Sequence, residues 1–342
     1  MPRTVVALLG GVMLCLSLAA CGQQPSGQAT QEQKPESQAA TAQTGVSGAS
    51  ASAEKPVASV ANTIAENESA LVGTYPSKFK QETYSDSGTG LSVTYNLFLP
   101  EGYDASASYP MVVFIADSTC ATGNAERSLT QGLGGLVWAT DEWQAAHPCI
   151  VCVPTYSETI LDDHNGYVTT DYIEVTKRLI ESVSSKYAVD SSRIYGTGQS
   201  MGCMVTLILA SQHPGFYAGC MFVDGQWDVS TLSGLEKQRF VYFAAEDDER
   251  AFTGMGEVKA MFDKDSVPYA SAQWQGTWTP DELSAAATEL FSQSKNANFV
   301  SWASGSISAG SGGGMGSASY HMASFDYAYR SIAAMEWLFQ TK

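Results

Sequence analysis

The segment that most restricts what this chain can fold into is Gly198-Gln199-Ser200-Met201-Gly202, because of what stands on either side of it. Ahead of it, residues 193–197 read as a short strand carrying Ile194 and Tyr195. Behind it, residues 201–213 read as a helix with Met204, Val205, Leu207 and Ile208, stopped by Pro214-Gly215. A Gly-x-Ser-x-Gly match is weak by itself in a chain with 31 glycines. Between a strand and a helix it describes a tight elbow. The glycines let the turn close and the helix approach the strand, and the Ser hydroxyl is left at a helix N-terminus, where N–H groups favour a developing negative charge.

The rest of the chain supplies the sheet that such an elbow needs. Residues 91–99 alternate in a strand period, and residues 111–116 and 149–153 are unbroken apolar runs, as strands covered on both faces would be. Residues 169–187 carry Ile173, Ile180, Val183 and Tyr187 at helical spacing, with Asp171 near the start. Strands are expected at 219–223, 239–245 and 298–303, helices at 254–262 and 280–293, and a closing amphipathic helix at 324–340. Strands alternating with helices predict a mostly parallel central sheet with helices on both faces. Residues 304–319 are almost wholly Gly and Ser and read as a loop leading into Tyr320-His321.

The first 74 residues read differently. Arg3 lies ahead of an apolar stretch at 5–18, too short for a membrane span, and Leu18-Ala19-Ala20-Cys21 resembles a bacterial lipobox. Residues 1–20 are therefore expected to be a lipoprotein signal peptide, with Cys21 the lipidated first residue of a chain held at the outer face of the cell membrane. Residues 21–74, rich in Gln, Ala, Ser and Pro, are expected to be a disordered tether, and 75–342 the folded domain. The formal net charge of −17 argues against a nucleic-acid partner, which would require clustered Lys and Arg. No His/Cys spacing suggests a metal site, and no cofactor is expected. Cys120, Cys149, Cys152, Cys203 and Cys220 read as buried small hydrophobes; Cys149 and Cys152, three apart on one strand, point to opposite faces.

A Ser nucleophile requires a base, and the chain has four His. In the α/β-hydrolase arrangement the order is Ser, acid, His. His147 and His164 precede Ser200, and His213 ends the nucleophile's own helix, nearly 20 Å away at about 1.5 Å per residue. His321 remains, expected on a loop before the last helix. The acid has four candidates at two strand ends: Asp224 and Asp228 after one, Asp247 and Asp248 after the next.

Tyr195-Gly196-Thr197-Gly198-Gln199-Ser200-Met201-Gly202 resembles the elbow of bacterial secreted esterases related to polyhydroxybutyrate depolymerases and feruloyl esterases, often labelled prolyl-oligopeptidase-like α/β-hydrolases. The similarity runs from about Tyr95 to Lys342 and includes Leu97-Phe98-Leu99-Pro100, Gln226-Trp227-Asp228 and His321-Met322-Ala323-Ser324-Phe325. The resemblance implies an α/β-hydrolase fold, a serine carboxylic-ester hydrolase and an ester substrate, either small molecule or polymer. It places the acid on Asp248, within Asp247-Asp248-Glu249-Arg250-Ala251-Phe252-Thr253-Gly254-Met255. Where the family usually has His-Gly or His-Asp after the oxyanion strand, this chain has Ala116-Asp117-Ser118. A carboxylate beside a forming oxyanion is unfavourable unless its side chain points away, and the backbone N–H groups of Met201 and Asp117 (or Ser118) are expected to form the hole. Trp227 and Gln199 are expected at the substrate pocket, with Trp274 and Trp278 as further aromatic candidates. The alternatives are a peptidase or amidase on the same triad, and a non-catalytic surface-binding lipoprotein.

Overall fold

The computed structural model describes residues 68–308 and 316–340. The expected signal peptide, Cys21 and most of the expected tether lie outside the described residues. In chain order the strands are β1 (Lys80–Ser85), β2 (Ser92–Phe98), β3 (Tyr109–Ile115), β4 (Ile150–Thr155), β5 (Leu161–Asp162), β6 (Val168–Thr169), β7 (Val189–Gln199), β8 (Gly219–Val223), β9 (Phe240–Ala245), β10 (Tyr269–Trp274) and β11 (Ala297–Trp302). The helices are α1 (Glu68–Thr74), α2 (Ala125–Thr130), α3 (Asp141–Ala146), α4 (Tyr172–Lys186), α5 (Met201–Gln212), α6 (Glu249–Lys264), α7 (Pro280–Ser292), α8 (Gly316–Tyr329) and α9 (Ile332–Phe339).

Nine of these strands make one sheet in the order β1-β2-β4-β3-β7-β8-β9-β11-β10. β2 pairs antiparallel with β1 and β4, and every other neighbour is parallel. Side chains along β3 and β9 alternate between two apolar clusters. Met111, Val113 and Ile115, with Phe240, Tyr242 and Ala244, face one side, where α4, α5 and α6 pack. Val112, Phe114, Val241 and Phe243 face the other, against α7, α8 and α9. Burial on both faces is why these strands read as unbroken apolar runs. Cys152 and Cys149 fall in opposite clusters, as the strand period requires.

Several expectations are corrected. The fold starts before Tyr75: α1 occupies the end of the expected tether, and Leu71 and Val72 pack against the second cluster. β1 is mostly polar (KQETYS) because it lies at a sheet edge, and β10 is the opposite edge; neither carries the apolar run of an inner strand. The single closing helix is two helices, α8 and α9, separated at Arg330-Ser331, where no Pro or Gly marks the break. His321 consequently lies within α8 and not on a loop.

Candidate functional site

β7 delivers the chain into the elbow and α5 carries it away. Ser200 sits between them at φ 51°, ψ −117°. A non-glycine residue in that region costs on the order of 1–3 kcal/mol and persists only where its surroundings enforce it. The surroundings do so: Ser200 N–H donates to Val223 O of β8 at 3.0 Å, and α5 begins at the next residue. Two glycines make the turn possible. A Cβ on Gly198 would lie 2.4 Å from the Gly202 carbonyl carbon, and one on Gly202 would lie 1.8 Å from Ile115 O. The second contact brings the end of β3, and the loop that follows it, directly against the first turn of α5.

His321 reaches the elbow from α8, with Nε2 2.8 Å from Ser200 Oγ. Its Nδ1 lies 2.5 Å from Asp248 Oδ2. Asp248 follows β9, caps α6 by accepting from Ala251 N–H at 3.4 Å, and is only 5% exposed. Ser200, His321 and Asp248 therefore meet in a single hydrogen-bonded line across three separate elements. Burial by itself would lower the His321 pKa; the hydrogen bond and charge of Asp248 outweigh it and leave it raised.

The other candidate acids have different partners. Asp247 accepts from Ser304 Oγ (2.6 Å) and Gly305 N–H (2.7 Å), holding the turn after β11. Asp228 accepts from Ser230 N–H and Oγ in a short loop helix. Asp224 is fully buried at φ 40° and accepts from Ala245 N–H at 2.7 Å. Ser324 Oγ lies 2.6 Å from Asp224 Oδ2 and 2.8 Å from the His321 carbonyl oxygen. His213 pairs with Glu174, and His147 lies 3.9 Å from Glu336.

Asp117 follows β3 with its carboxylate turned into its own loop, accepting from Thr119 N–H at 2.7 Å, with Gln199 Nε2 3.5 Å from its other oxygen. That geometry answers the concern raised by Ala116-Asp117: the side chain is 1% exposed and already bonded. The first N–H groups of α5, starting at Met201, have no intrahelical acceptor.

A cleft of about 650 Å³ opens over Ser200 and His321. Leu161, Val168, Met201 and Met204 give it an apolar side, and Asp163, His164, Gln226 and Arg250 a polar one. Gln199 and Trp227 are not among its lining residues, which corrects the expectation for both. Gln199 is buried and donates to Gln131 Oε1 at 2.7 Å, while Trp227 is buried in the core with its ring 5.2 Å from that of Tyr167. Trp274 is likewise core, and Trp278 packs against the same cluster as Trp274. The polar wall was missed because residues 157–168 carry no periodic pattern, and His164 drops out on chain order alone. Asp162, Asp163 and His164 bring three ligand-type atoms within 4.8 Å of one another. Arg250 donates to Asp163 Oδ2 (2.7 Å) and to His164 Nε2 (2.6 Å), so a fixed guanidinium already meets the charge of that group.

The model of the Esterase family, described as "Putative esterase", matches residues 87–301. The chain belongs to the Esterase family. Ser200 and Asp248 lie within the matched span of this Esterase-family chain, and His321 lies beyond it. No curated protein matches it. Among solved structures, a thermostable esterase is similar at TM-score 0.56 and 20% identity, over 78% of this chain and 64% of that one. The chain thus spans less than two thirds of that esterase's length. A structure of FAE is similar at TM-score 0.50 and 16% identity, over 82% of this chain and 96% of the other. At these identities the likeness concerns the fold, and the fold of this Esterase-family member is that of the α/β-hydrolases.

Proposed function

We propose that this chain hydrolyses carboxylic esters through an acyl-enzyme formed on Ser200. The observation that carries the reading is the line from Ser200 Oγ through the His321 imidazole to the buried Asp248 carboxylate, at 2.8 and 2.5 Å. Oγ attacks the ester carbonyl carbon as His321 Nε2 takes its proton. Asp248 keeps the Nδ1–H tautomer and stabilises the imidazolium. The negative oxygen of the tetrahedral intermediate is held by the N–H of Met201 and by an N–H of the Asp117-Ser118 loop, which Gly202 allows to lie against α5. As the C–O bond breaks, His321 returns the proton to the leaving alcohol; water then repeats the sequence on the acyl-enzyme.

Ser200→Ala is expected to lower turnover of short-chain aryl esters on the order of 10⁶-fold with the fold intact, the size seen when a triad Ser is removed elsewhere. A fluorophosphonate probe should label Ser200. Normal turnover in the variant, or labelling at another residue, would refute the reading. We also propose that Cys21 carries a lipid that holds the domain at the outer face of the membrane, on the strength of the lipobox-like Leu18-Ala19-Ala20-Cys21. A palmitate analogue should tag the wild type, and Cys21→Ala should leave the membrane fraction; retention there would dismiss the anchor.

A further inference from the structure

The mechanism above makes no use of Asp224, although it is the most thoroughly buried carboxyl near the site. It stands at the end of β8, one residue beyond Val223, at φ 40° and with no exposed surface. Oδ1 accepts from Ala245 N–H at 2.7 Å, and Oδ2 lies 2.6 Å from Ser324 Oγ. Ser324 is also fully buried, in the turn of α8 that follows His321, with Oγ 2.8 Å from the His321 carbonyl oxygen. The protons in this line can be counted. A serine hydroxyl has one hydrogen to give and two lone pairs to receive with. Here it stands between two oxygens, and a carbonyl has no hydrogen of its own. If Ser324 spends its hydrogen on a carboxylate, it faces the carbonyl at 2.8 Å lone pair to lone pair, in a site without water access. One more proton, on Asp224 Oδ2, satisfies both contacts.

We propose that Asp224 is a neutral carboxylic acid that donates to Ser324 Oγ, which in turn donates to the His321 carbonyl, making Asp224 a positioning residue for the base. The inference rests on His321 being that base. The chain of bonds ties the α8 turn carrying the imidazole to the C-terminal ends of β8 and β9, the rigid centre of the sheet. The surroundings favour the neutral form. Burial first, and then the Asp248 carboxylate at the cap of α6, push the Asp224 pKa up to about 7, against the opposing effects of Ser324, His321 and the Ala245 N–H. The remaining titratable groups facing it are Tyr242 on β9 and Cys203 on α5, both held neutral by burial. A second carboxylate charge beside Asp248 is thereby avoided, leaving Asp248 as the anion that His321 meets.

Infrared difference spectra of wild type minus Asp224→Asn at pH 5 should show the C=O stretch of a protonated carboxyl, fading as the pH passes about 7. No such band at pH 5 would overturn the proposal. The measurement needs no turnover, so it stands or falls separately from ester hydrolysis. Kinetics test the positioning role. Ser324→Ala and Asp224→Ala should lower kcat about tenfold with KM little changed, the effect of unpairing a buried group. Asp224→Asn, whose amide N–H replaces the acid O–H, should restore most of what Asp224→Ala loses. If Asp224→Asn is as impaired as Asp224→Ala, a carboxylate is required there and the proposal fails. Should Asp224→Ala not fold, Asp224→Asn and Ser324→Ala still decide the question.

Discussion

Asp247 and Asp248 are chain neighbours with different surroundings, and the difference is measurable. Asp248 is buried against the imidazole, whereas Asp247 holds the Ser304-Gly305 turn at the surface. Asp248→Asn is expected to lower turnover on the order of 10⁴-fold, the precedent for stabilising the wrong imidazole tautomer in a serine protease. Asp247→Asn should stay within about tenfold of wild type. The reverse ranking in kinetics, with thermal melts confirming folding, would move the acid one residue earlier. The pH profile carries a second signature. In the proposed mechanism His321 must be neutral to accept the Ser200 proton, and its pKa lies above the usual 6.5, so activity should rise through that higher value as pH increases. Asp248→Asn removes the main raising influence and should shift this acidic limb to lower pH. In stability the sign is opposite: the His321–Asp248 pair contributes fully below the unfolded His pKa, and that contribution is lost as pH rises through the folded value.

Among the strands of the nine-stranded sheet, β1 is the least secured by apolar packing, and a polar side chain anchors it. Glu82 accepts from Tyr95 Oη (2.5 Å), Tyr187 Oη (2.6 Å) and Lys186 Nζ (2.7 Å), joining β1 to β2 and to the end of α4. Partial burial of Glu82 opposes ionisation, but the bonds from Lys186, Tyr187 and Tyr95 outweigh it and bring its pKa down to about 2. A carboxylate with a lowered folded pKa stabilises above its unfolded pKa near 4.5 and loses that contribution as pH falls toward about 2. Glu82→Gln should therefore lower Tm at pH 7 by about 2–4 °C, with the gap to wild type closing toward pH 2. A gap that stays constant with pH would mean that β1 is held by something else. The sheet edges are also where sequence periodicity failed. β1 and β10 each face one apolar layer incompletely, so neither shows the run that made β3, β4 and β9 legible.

Across the whole molecule, the five described cysteines are free and buried. Burial raises their thiol pKa values, Cys120 to about 11 and Cys149 to about 12. Little thiolate exists at neutral pH, and reagents have no path to it. A thiol-reactive mass tag should leave Cys120, Cys149, Cys152, Cys203 and Cys220 unmodified in the native protein and reach all five after denaturation. Tagging of any of them under native conditions would show that the core opens locally. The two apolar layers that bury these thiols also hold the strand ends in register, and the site depends on that register.

Legible in the chain alone were the elbow and the alternation that yields a parallel sheet covered on both faces, with the Ser-acid-His order as the expectation that follows from them. These are legible because each rests on local periodicity or on chemistry that few residues can supply. With four His in the chain, elimination reached His321 without coordinates. Which carboxyl meets that His was pointed to by the family resemblance, which places the acid on Asp248, and follows physically from the packing of α8. Asp224 and Asp248 follow adjacent parallel strands, β8 and β9, and local periodicity treats them alike. The angle at which α8 descends brings Nδ1 to Asp248, while Ser324, three residues on, meets Asp224. Only the tertiary structure decided the cleft wall. His164, Asp163 and Arg250 are up to 87 residues apart in sequence and become neighbours only when the turn between β5 and β6 meets the start of α6. No local pattern encodes such a meeting, because the side chains that make it are polar, aperiodic and positioned by packing elsewhere.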